Sequence, residues 1–424
     1  MSPESSAKRR LFGNMASLFV LQGANYLLPL IVVPYLVRVL GPEKFGAVAF
    51  AQAFSVYFVL IADYGFNLSA TREISIYRTD PDKIAEIVST VMTIKCVLMV
   101  LGAVATSAIV ASVPRFRHDW TLYAASYLAV AGSVAFPLWL FQGLERMRFV
   151  TIFNIAGRLV SIAAIFLWVK QESDYIYAAG FQAGGTLLAG VMSWGVMHLL
   201  VPVRLPRPTY ATVGKHLREG WHVFISTAAI SLYTASNTLI LGLLAGNVAV
   251  GYFSAAEKLI RAVQGLVRPV SQAIYPHISN LVSQSREVAL AFVRTTLRWI
   301  GGAGFLASCL LFLLAEPLVG IVLGGQYLDS VPLVQWMAFL PFLIAVSNVF
   351  GIQTMLPFGL QKDFSKILIS AGIFNLVLII PLSYFFHAKG AAIAVLLTEL
   401  VVTVAMCITL PRRGLRVLGR TSFA

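Results

Sequence analysis

One apolar segment, residues 249–275, carries four polar side chains at helical spacing. Glu257, Arg261, Gln264 and Arg268 follow one another by four, three and four positions, which places them on one face of an α-helix. The planar guanidinium of arginine donates paired hydrogen bonds to phosphate oxygens, so two arginines on one face could hold a diphosphate. A second interpretation stays open, in which Glu257 pairs with Arg261 and Arg268 extends to the aqueous interface.

Further polar side chains interrupt other apolar segments. Arg158 stands near the middle of residues 149–169, far from either end, and is therefore predicted to line a cavity. Tyr233 and Asn237 belong to a broad polar face on residues 220–245, and Asn25 is placed similarly in residues 14–36. Such groups suit sugar hydroxyls, but they also hold neighbouring helices together, and both interpretations stay open.

Three acidic side chains, Asp63, Glu257 and Glu399, are candidates for gating or for coupling to a proton or sodium gradient, because ionisable groups within apolar helices are costly. Lys95 also lies well inside a predicted membrane span, and no acidic residue is three or four positions from it to form a pair on the same helix. We expect Lys95 to form a buried ion pair or to extend to the interface. The histidines and cysteines lack metal-ligand spacing, so no metal or cofactor is predicted, and His216 is expected to be solvated or interfacial.

The segments that carry these residues are apolar enough to lie in a bilayer. Hydrophobic residues make up 58% of the chain and charged residues 12%, and the mean hydropathy is +0.81. A bilayer core needs about 20 apolar residues per helix. Runs of this length predict an all-α integral membrane protein with twelve spans, at residues 14–36, 44–67, 87–113, 120–141, 149–169, 175–201, 220–245, 249–275, 288–314, 332–355, 364–385 and 390–411.

The net charge of +14 indicates membrane orientation rather than nucleic-acid binding. With a cytoplasmic N-terminus, 19 of the 32 lysines and arginines fall in cytoplasmic segments and 6 on the opposite side. This asymmetry follows the positive-inside rule. Both termini are therefore predicted to be cytoplasmic, and the basic start of the chain precedes an uncleaved first helix.

The chain carries signs of an internal duplication. GPEKFG at residues 41–46 opens the second predicted helix and GNVAVG at 246–251 opens the eighth, while GLER at 143–146 is echoed by GLQK at 359–362. Six helices per copy give both copies the same orientation. The sequence thus predicts a six-helix lobe at residues 1–201, a cytoplasmic linker at 202–219, and a second lobe with a short basic tail at 220–424.

Four segments together form a family signature: PYLVRVLG at residues 34–41, DYGFNLSATREIS at 63–75, FQGLERM at 141–147 and GYFSAAEKL at 251–259. They resemble the polysaccharide transporter family of O-antigen-type flippases, and the match runs along nearly the whole chain. The resemblance implies the fold of the multidrug/oligosaccharidyl-lipid/polysaccharide exporter superfamily, with two six-helix lobes around a central cavity and alternating access.

The resemblance also implies a cargo, a location and partners. The cargo would be undecaprenyl-pyrophosphate-linked oligosaccharide, moved across a bacterial inner membrane for O-antigen, capsule or exopolysaccharide synthesis. Polymerase and chain-length proteins of the same pathway would be partners alongside the lipid bilayer.

Two alternatives remain. A drug or cation antiporter of the same superfamily would favour acids over arginines in its site, and a membrane oligosaccharide polymerase would need catalytic acids on a sizeable outer loop. The predicted outer loops are short, and no Gly-x4-Gly-Lys-Ser/Thr loop for ATP is present. A transporter without enzyme activity is therefore expected.

Overall fold

The computed structural model describes residues 3–200, 206–265 and 268–417. Within these ranges the chain forms α-helices with short 3-10 and π-helical turns, and no strand. Nine of the described segments are long and apolar enough to cross a membrane. The all-α integral membrane fold predicted from the sequence is confirmed.

The helices of the first half follow one another through short connections. Their bounds are α1 (Pro3–Asp63), α2 (Phe66–Ile76), α3 (Pro81–Ser112), α4 (Pro114–His118), α5 (Trp120–Ala135), α6 (Leu138–Gly143), α7 (Met147–Trp168) and α8 (Tyr175–Leu200). A 3-10 turn, Glu172–Asp174, precedes α8.

The second half begins with a helix that starts upstream of its predicted position. Its helices are α9 (Tyr210–Gly265), α10 (Arg268–Gln284), α11 (Arg286–Leu313), α12 (Ala315–Leu318), α13 (Val331–Met337), α14 (Leu340–Phe350) and α15 (Gln361–Arg412). Two π-helical turns, Val319–Leu323 and Gly351–Met355, and a 3-10 helix, Gly325–Ser330, lie among them.

Three long helices are interrupted where the sequence predicts an end between two spans. The breaks are at Gly41 in α1 (φ 66°), Gly246 in α9 (φ 86°) and His387 in α15 (φ 51°). Glycine adopts such positive φ angles without a Cβ clash, whereas His387 does so under strain. Each break divides one of the nine candidate membrane segments in two, so the described ranges contain about twelve membrane helices, as predicted.

The predicted start of the seventh helix is wrong by ten residues. That helix, expected from residue 220, begins at Tyr210, because Thr209 and Thr212 cap the first turn reciprocally. The Thr212 amide donates to Thr209 Oγ1 at 3.3 Å, and the Thr209 amide donates to Thr212 Oγ1 at 3.1 Å. The eighth helix, expected to reach residue 275, is described to Gly265, α10 is described from Arg268, and residues 266–267 lie outside the described ranges.

The described chain divides into two compact units. The first comprises the described residues up to Leu40 and those of Ala47–Ser231, and the second comprises Gly41–Gly46 and the described residues from Leu232 onward. The division into lobes at residues 202–219 stays a prediction, and residues 201–205 lie outside the described ranges.

Close backbone approach holds helices together in each unit. In the first, a Cβ added at Gly157 of α7 would lie 2.2 Å from the carbonyl oxygen of Gly185 in α8. In the second, a Cβ at Gly46 would lie 1.8 Å from the carbonyl oxygen of Asn247, and one at Gly251 would lie 1.9 Å from that of Pro42. Only glycine fits these contacts, which are typical of helix packing in membranes.

Candidate functional site

Three residues of the polar stripe predicted on the eighth span, Glu257, Arg261 and Gln264, lie in the distal half of α9, and Arg268 begins α10. Arg261 Nη2 donates to Glu257 Oε1 at 2.8 Å, while the Arg261 side chain stays 60% exposed. Gln264 is partly buried, and the side chain of Arg268 lies outside the described part of the chain. The internal ion pair is therefore present. It engages one nitrogen of the Arg261 guanidinium, a group that has five N–H donors in all.

Lys258 is a further cation next to this pair. It is not one of the four stripe residues, so their helical spacing did not predict it. Its side chain is partly buried, and no carboxylate forms an ion pair with it among the described residues. A cation in an apolar helix without a carboxylate partner is costly unless an anion or water reaches it. Its position within the apolar GYFSAAEKL segment was the available signal in the sequence.

Arg158 is the corresponding membrane-embedded cation of the first unit. It lies near the middle of α7, is partly buried, and forms no ion pair among the described residues. One turn earlier, the Asn154 side chain donates to the backbone oxygen of Val150 at 2.8 Å, so that amide is occupied by its own helix. The predicted cavity-lining role of Arg158 stays a prediction.

Asp63, at the end of α1, is held by a network within the first unit. Its Oδ1 lies 2.7 Å from Lys95 Nζ and accepts a hydrogen bond from Ser133 Oγ at 3.0 Å, and its Oδ2 accepts from Asn67 Nδ2 at 3.3 Å. Lys95 is only 1% exposed and also donates to the backbone oxygen of Ser133. Lys95 therefore forms a buried ion pair, the first of the two predicted outcomes.

Glu399 differs from the other embedded carboxylates because it has no cation beside it. Its Oε1 accepts a hydrogen bond from Ser347 Oγ at 2.8 Å, and no Lys or Arg forms an ion pair with it in the described ranges. One position earlier, Thr398 Oγ1 accepts from Asn375 Nδ2 at 3.1 Å.

The predicted sugar-binding amides are buried and incompletely paired. Asn237 is 6% exposed, and its Oδ1 has no hydrogen-bond partner within the described residues; the Oδ1 of Asn25 is also buried without one. The side chain of Tyr233 lies outside the described part of the chain. An unsatisfied buried acceptor is a group that a hydroxyl donor would pair with.

A buried polar network in the second unit is not predicted by the sequence. Gln353, in the π-helical turn after α14, is fully buried and donates to Ser271 Oγ and to the Ser271 backbone oxygen, each at 2.7 Å. Ser271 Oγ donates in turn to Asn348 Oδ1 at 2.5 Å. A π-helical turn in a membrane helix was the structural feature that no spacing rule could indicate.

Charged residues also meet where α2 packs against the start of α9. Glu73 Oε1 lies 2.5 Å from Lys215 Nζ, and Glu73 Oε2 lies 3.2 Å from His216 Nδ1. His216 is 4% exposed, so the solvated alternative of the prediction is wrong, while an interfacial position stays a prediction. His216 is buried because Gly65 and Gly220 let the two helices approach closely, with the Tyr64 and Phe224 rings stacked 5.0 Å apart.

Two compact helical units with cations embedded in their apolar helices define an all-α integral membrane fold. Its chain path resembles that of a lipid II flippase, MurJ, in the inward closed conformation, with a TM-score of 0.70 and 11% identity over 94% of this chain and 87% of that one. It also resembles an inward-facing MATE family multidrug transporter, with a TM-score of 0.61 and 14% identity over 92% and 94% of the two chains. At these identities the likeness shows the fold alone.

The chain belongs to the family described as "Polysaccharide biosynthesis protein", whose model matches residues 11–282. It is 39% identical over 399 residues to a protein of Escherichia coli (strain K12) named "Putative O-antigen transporter", covering 94% of this chain and 96% of that protein. A protein of the same name from Shigella dysenteriae is 33% identical over 403 residues, covering 93% and 98%. The family predicted from the four sequence segments is confirmed.

Proposed function

We propose that the chain is a flippase for undecaprenyl-pyrophosphate-linked oligosaccharide repeat units, moving them from the inner to the outer leaflet of the cytoplasmic membrane by alternating access. The observation that carries the proposal is the presence of cations in apolar helices, Arg158 and Lys258, without a carboxylate partner among the described residues. A diphosphate is the anion that such cations would accompany across the bilayer. The names of the two bacterial relatives support this cargo.

The exposed guanidinium of Arg261 is the proposed first contact for the diphosphate. It offers free donors while its ion pair with Glu257 keeps it oriented. Polymerase and chain-length proteins of the same pathway would receive the cargo on the outer side.

Deletion of the gene tests the function directly. Lipid-linked repeat units should accumulate on the cytoplasmic leaflet, measured by their accessibility to a glycosidase added to inside-out and right-side-out vesicles. If the units reach the outer leaflet and merely fail to polymerise, the chain is a polymerase. If they are unaffected while efflux of cationic drugs falls, it is an antiporter, the alternative that the MATE-like fold favours.

A pair of variants tests the role of Arg261 in flipping. Arg261→Ala removes the contact with the cargo and leaves Glu257 without its partner, whereas Arg261→Ala combined with Glu257→Gln removes the unpaired charge as well. We expect the double variant to fold normally and to flip at least about tenfold more slowly than wild type. Arg261→Lys should retain partial activity, and Lys258→Met should also slow flipping. A well-folded double variant that flips at the wild-type rate would contradict the cargo role.

We further propose that flipping is coupled to a proton or sodium gradient, with Glu399 as the first candidate carrier. Asp63 and Glu257 are each engaged by a cation, while Glu399 is not. In sealed vesicles, an uncoupler should slow flipping by wild type, and Glu399→Gln should flip at a rate that no longer responds to the gradient. Wild-type flipping at full rate without any gradient would indicate facilitated, downhill movement instead.

A further inference from the structure

The junction of α2 with the start of α9 contains three potential metal ligands. Glu73 comes from α2, and His216 and Glu219 lie three positions apart on α9, which places them on one face of that helix. One donor atom from each of the three lies within 4.8 Å of the other two. All three belong to the first unit. We call these residues, with Lys215, the Glu73 cluster.

Glu73 Oε2 and His216 Nδ1 lie 3.2 Å apart inside the Glu73 cluster. Oε2 is buried and has no hydrogen-bond partner within the described residues. Glu73 Oε1 is already occupied by Lys215 Nζ. A buried carboxylate oxygen without a donor is costly, so the cluster favours a positive charge beside Oε2.

We propose that Glu73, His216 and Glu219 bind one divalent transition-metal ion of the zinc class. One imidazole nitrogen and two carboxylate oxygens are typical ligands of Zn²⁺, with bonds of about 2.0 to 2.2 Å and water completing the coordination. Tetrahedral bonds of that length separate donor atoms by about 3.3 to 3.5 Å, close to the 3.2 Å already present between Glu73 and His216. The Glu219 side chain is 47% exposed, and its Oε1 lies 4.0 Å from Lys215 Nζ.

Lys215 competes with the metal for Glu73. Its side chain is 52% exposed, so it can leave the carboxylate for water at little cost when the metal binds. A bound ion would join α2 to α9 through three side chains that are distant in sequence.

Zn²⁺ titration of the purified, chelator-treated full chain in detergent, followed by calorimetry, tests the site. Even loss of an outer partner of a metal ligand costs about 10- to 100-fold in affinity, so His216→Ala should weaken binding at least about 100-fold. Lys215→Met should tighten binding by about 3- to 10-fold, because no ammonium competes for Glu73. His222→Ala is the matched control, since His222 is an exposed histidine of the same helix, and its affinity should equal that of wild type.

Glu219→Gln keeps the test decisive if His216→Ala fails to fold, because residue 219 is exposed and its change leaves the packing intact. We expect Glu219→Gln to weaken binding at least about tenfold. Binding of Co²⁺ should in addition give visible absorption that His216→Ala abolishes. The proposal is overturned if wild type and Lys215→Met bind no Zn²⁺, or if His216→Ala and Glu219→Gln bind it as tightly as wild type. Neither outcome bears on flipping, since the titration contains no cargo.

Discussion

Lys95 shows how a charge is accommodated within the first unit. The ammonium at 1% exposure lies against Asp63 Oδ1 and the backbone oxygen of Ser133. Such a pair gains little over apolar residues of the same size, but breaking it leaves one charge buried alone. Replacing Lys95 or Asp63 alone is therefore expected to destabilise the protein.

Lys95→Met should therefore destabilise the protein by about 3 to 5 kcal/mol. The loss should appear as a lower temperature of unfolding in detergent. Combining it with Asp63→Asn should recover most of the stability, because a neutral amide then replaces the buried carboxylate and its oxygen can still accept from Ser133. Equal losses in the single and double variants would show that the pair contributes through packing rather than charge.

The sequence was informative about which residues carry charge and weak about which of them meet. The spacing of Glu257 and Arg261 predicts their contact because both lie on one helix. Lys95 with Asp63, and Glu73 with His216, come from different helices, and no periodicity links positions in different helices. These contacts depend on how helices pack, which is decided by small residues such as Gly65 and Gly220 that a pattern of apolar residues does not distinguish.

At the scale of elements, the junction of α1 and α2 is a sharp break in a membrane helix. Tyr64 and Gly65 both have positive φ angles, 43° and 77°, and Gly65 approaches the backbone of α9. The break turns the chain so that α2 can pack beside α9, with the Tyr64 ring stacked on Phe224. It lies within the DYGFNLSATREIS segment that identified the family, so this motif is structural at least in part.

Gly65→Ala should destabilise the protein by about 2 kcal/mol or more. The alanine would have to adopt a left-handed backbone conformation, and its Cβ would overpack the contact with α9. The added Cβ would lie 2.8 Å from the Phe224 amide nitrogen and 2.9 Å from the Gly220 oxygen. Thermal unfolding of the purified variant measures the effect. Gly195→Ala in α8 is the control, because nothing lies within 4 Å of its added Cβ and its stability should be unchanged or slightly higher. Equal stability of the two variants would show that the junction yields easily.

Helix breaks were the elements best anticipated from the sequence. Gly41 and Gly246 stand in matching Gly-x4-Gly segments, and glycine at a predicted helix boundary supplies the φ angle that a break needs. The break at Tyr64–Gly65 was placed inside a predicted span, since the surrounding residues are apolar enough to continue a helix. Hydropathy measures how well a segment is accommodated in lipid. It does not detect a helix break, such as Tyr64–Gly65, whose backbone strain is offset by packing against another helix.

At the scale of the whole molecule, the distribution of cations makes a prediction about sidedness. Both termini and residues 203–219 should be cytoplasmic, because 19 of the 32 lysines and arginines lie on that predicted side. Single cysteines placed at these positions, after replacement of Cys96, Cys309 and Cys407, should react with an impermeant maleimide only in inside-out vesicles. A C-terminus labelled from outside would mean an odd number of spans and would contradict the six-plus-six repeat.

The close approach of residues 41–46 to residues 247–251 has a consequence for biosynthesis. Gly46 and Gly251 belong to the same compact unit, but roughly 200 residues separate them in the chain. At about 5 to 20 residues per second, the first turn waits about 10 to 40 seconds in the membrane before the second leaves the ribosome. The second unit cannot be completed earlier, however fast its own helices insert. A gene divided between the two halves would place the matching turns on separate polypeptides, so assembly would become dependent on their concentration in the bilayer.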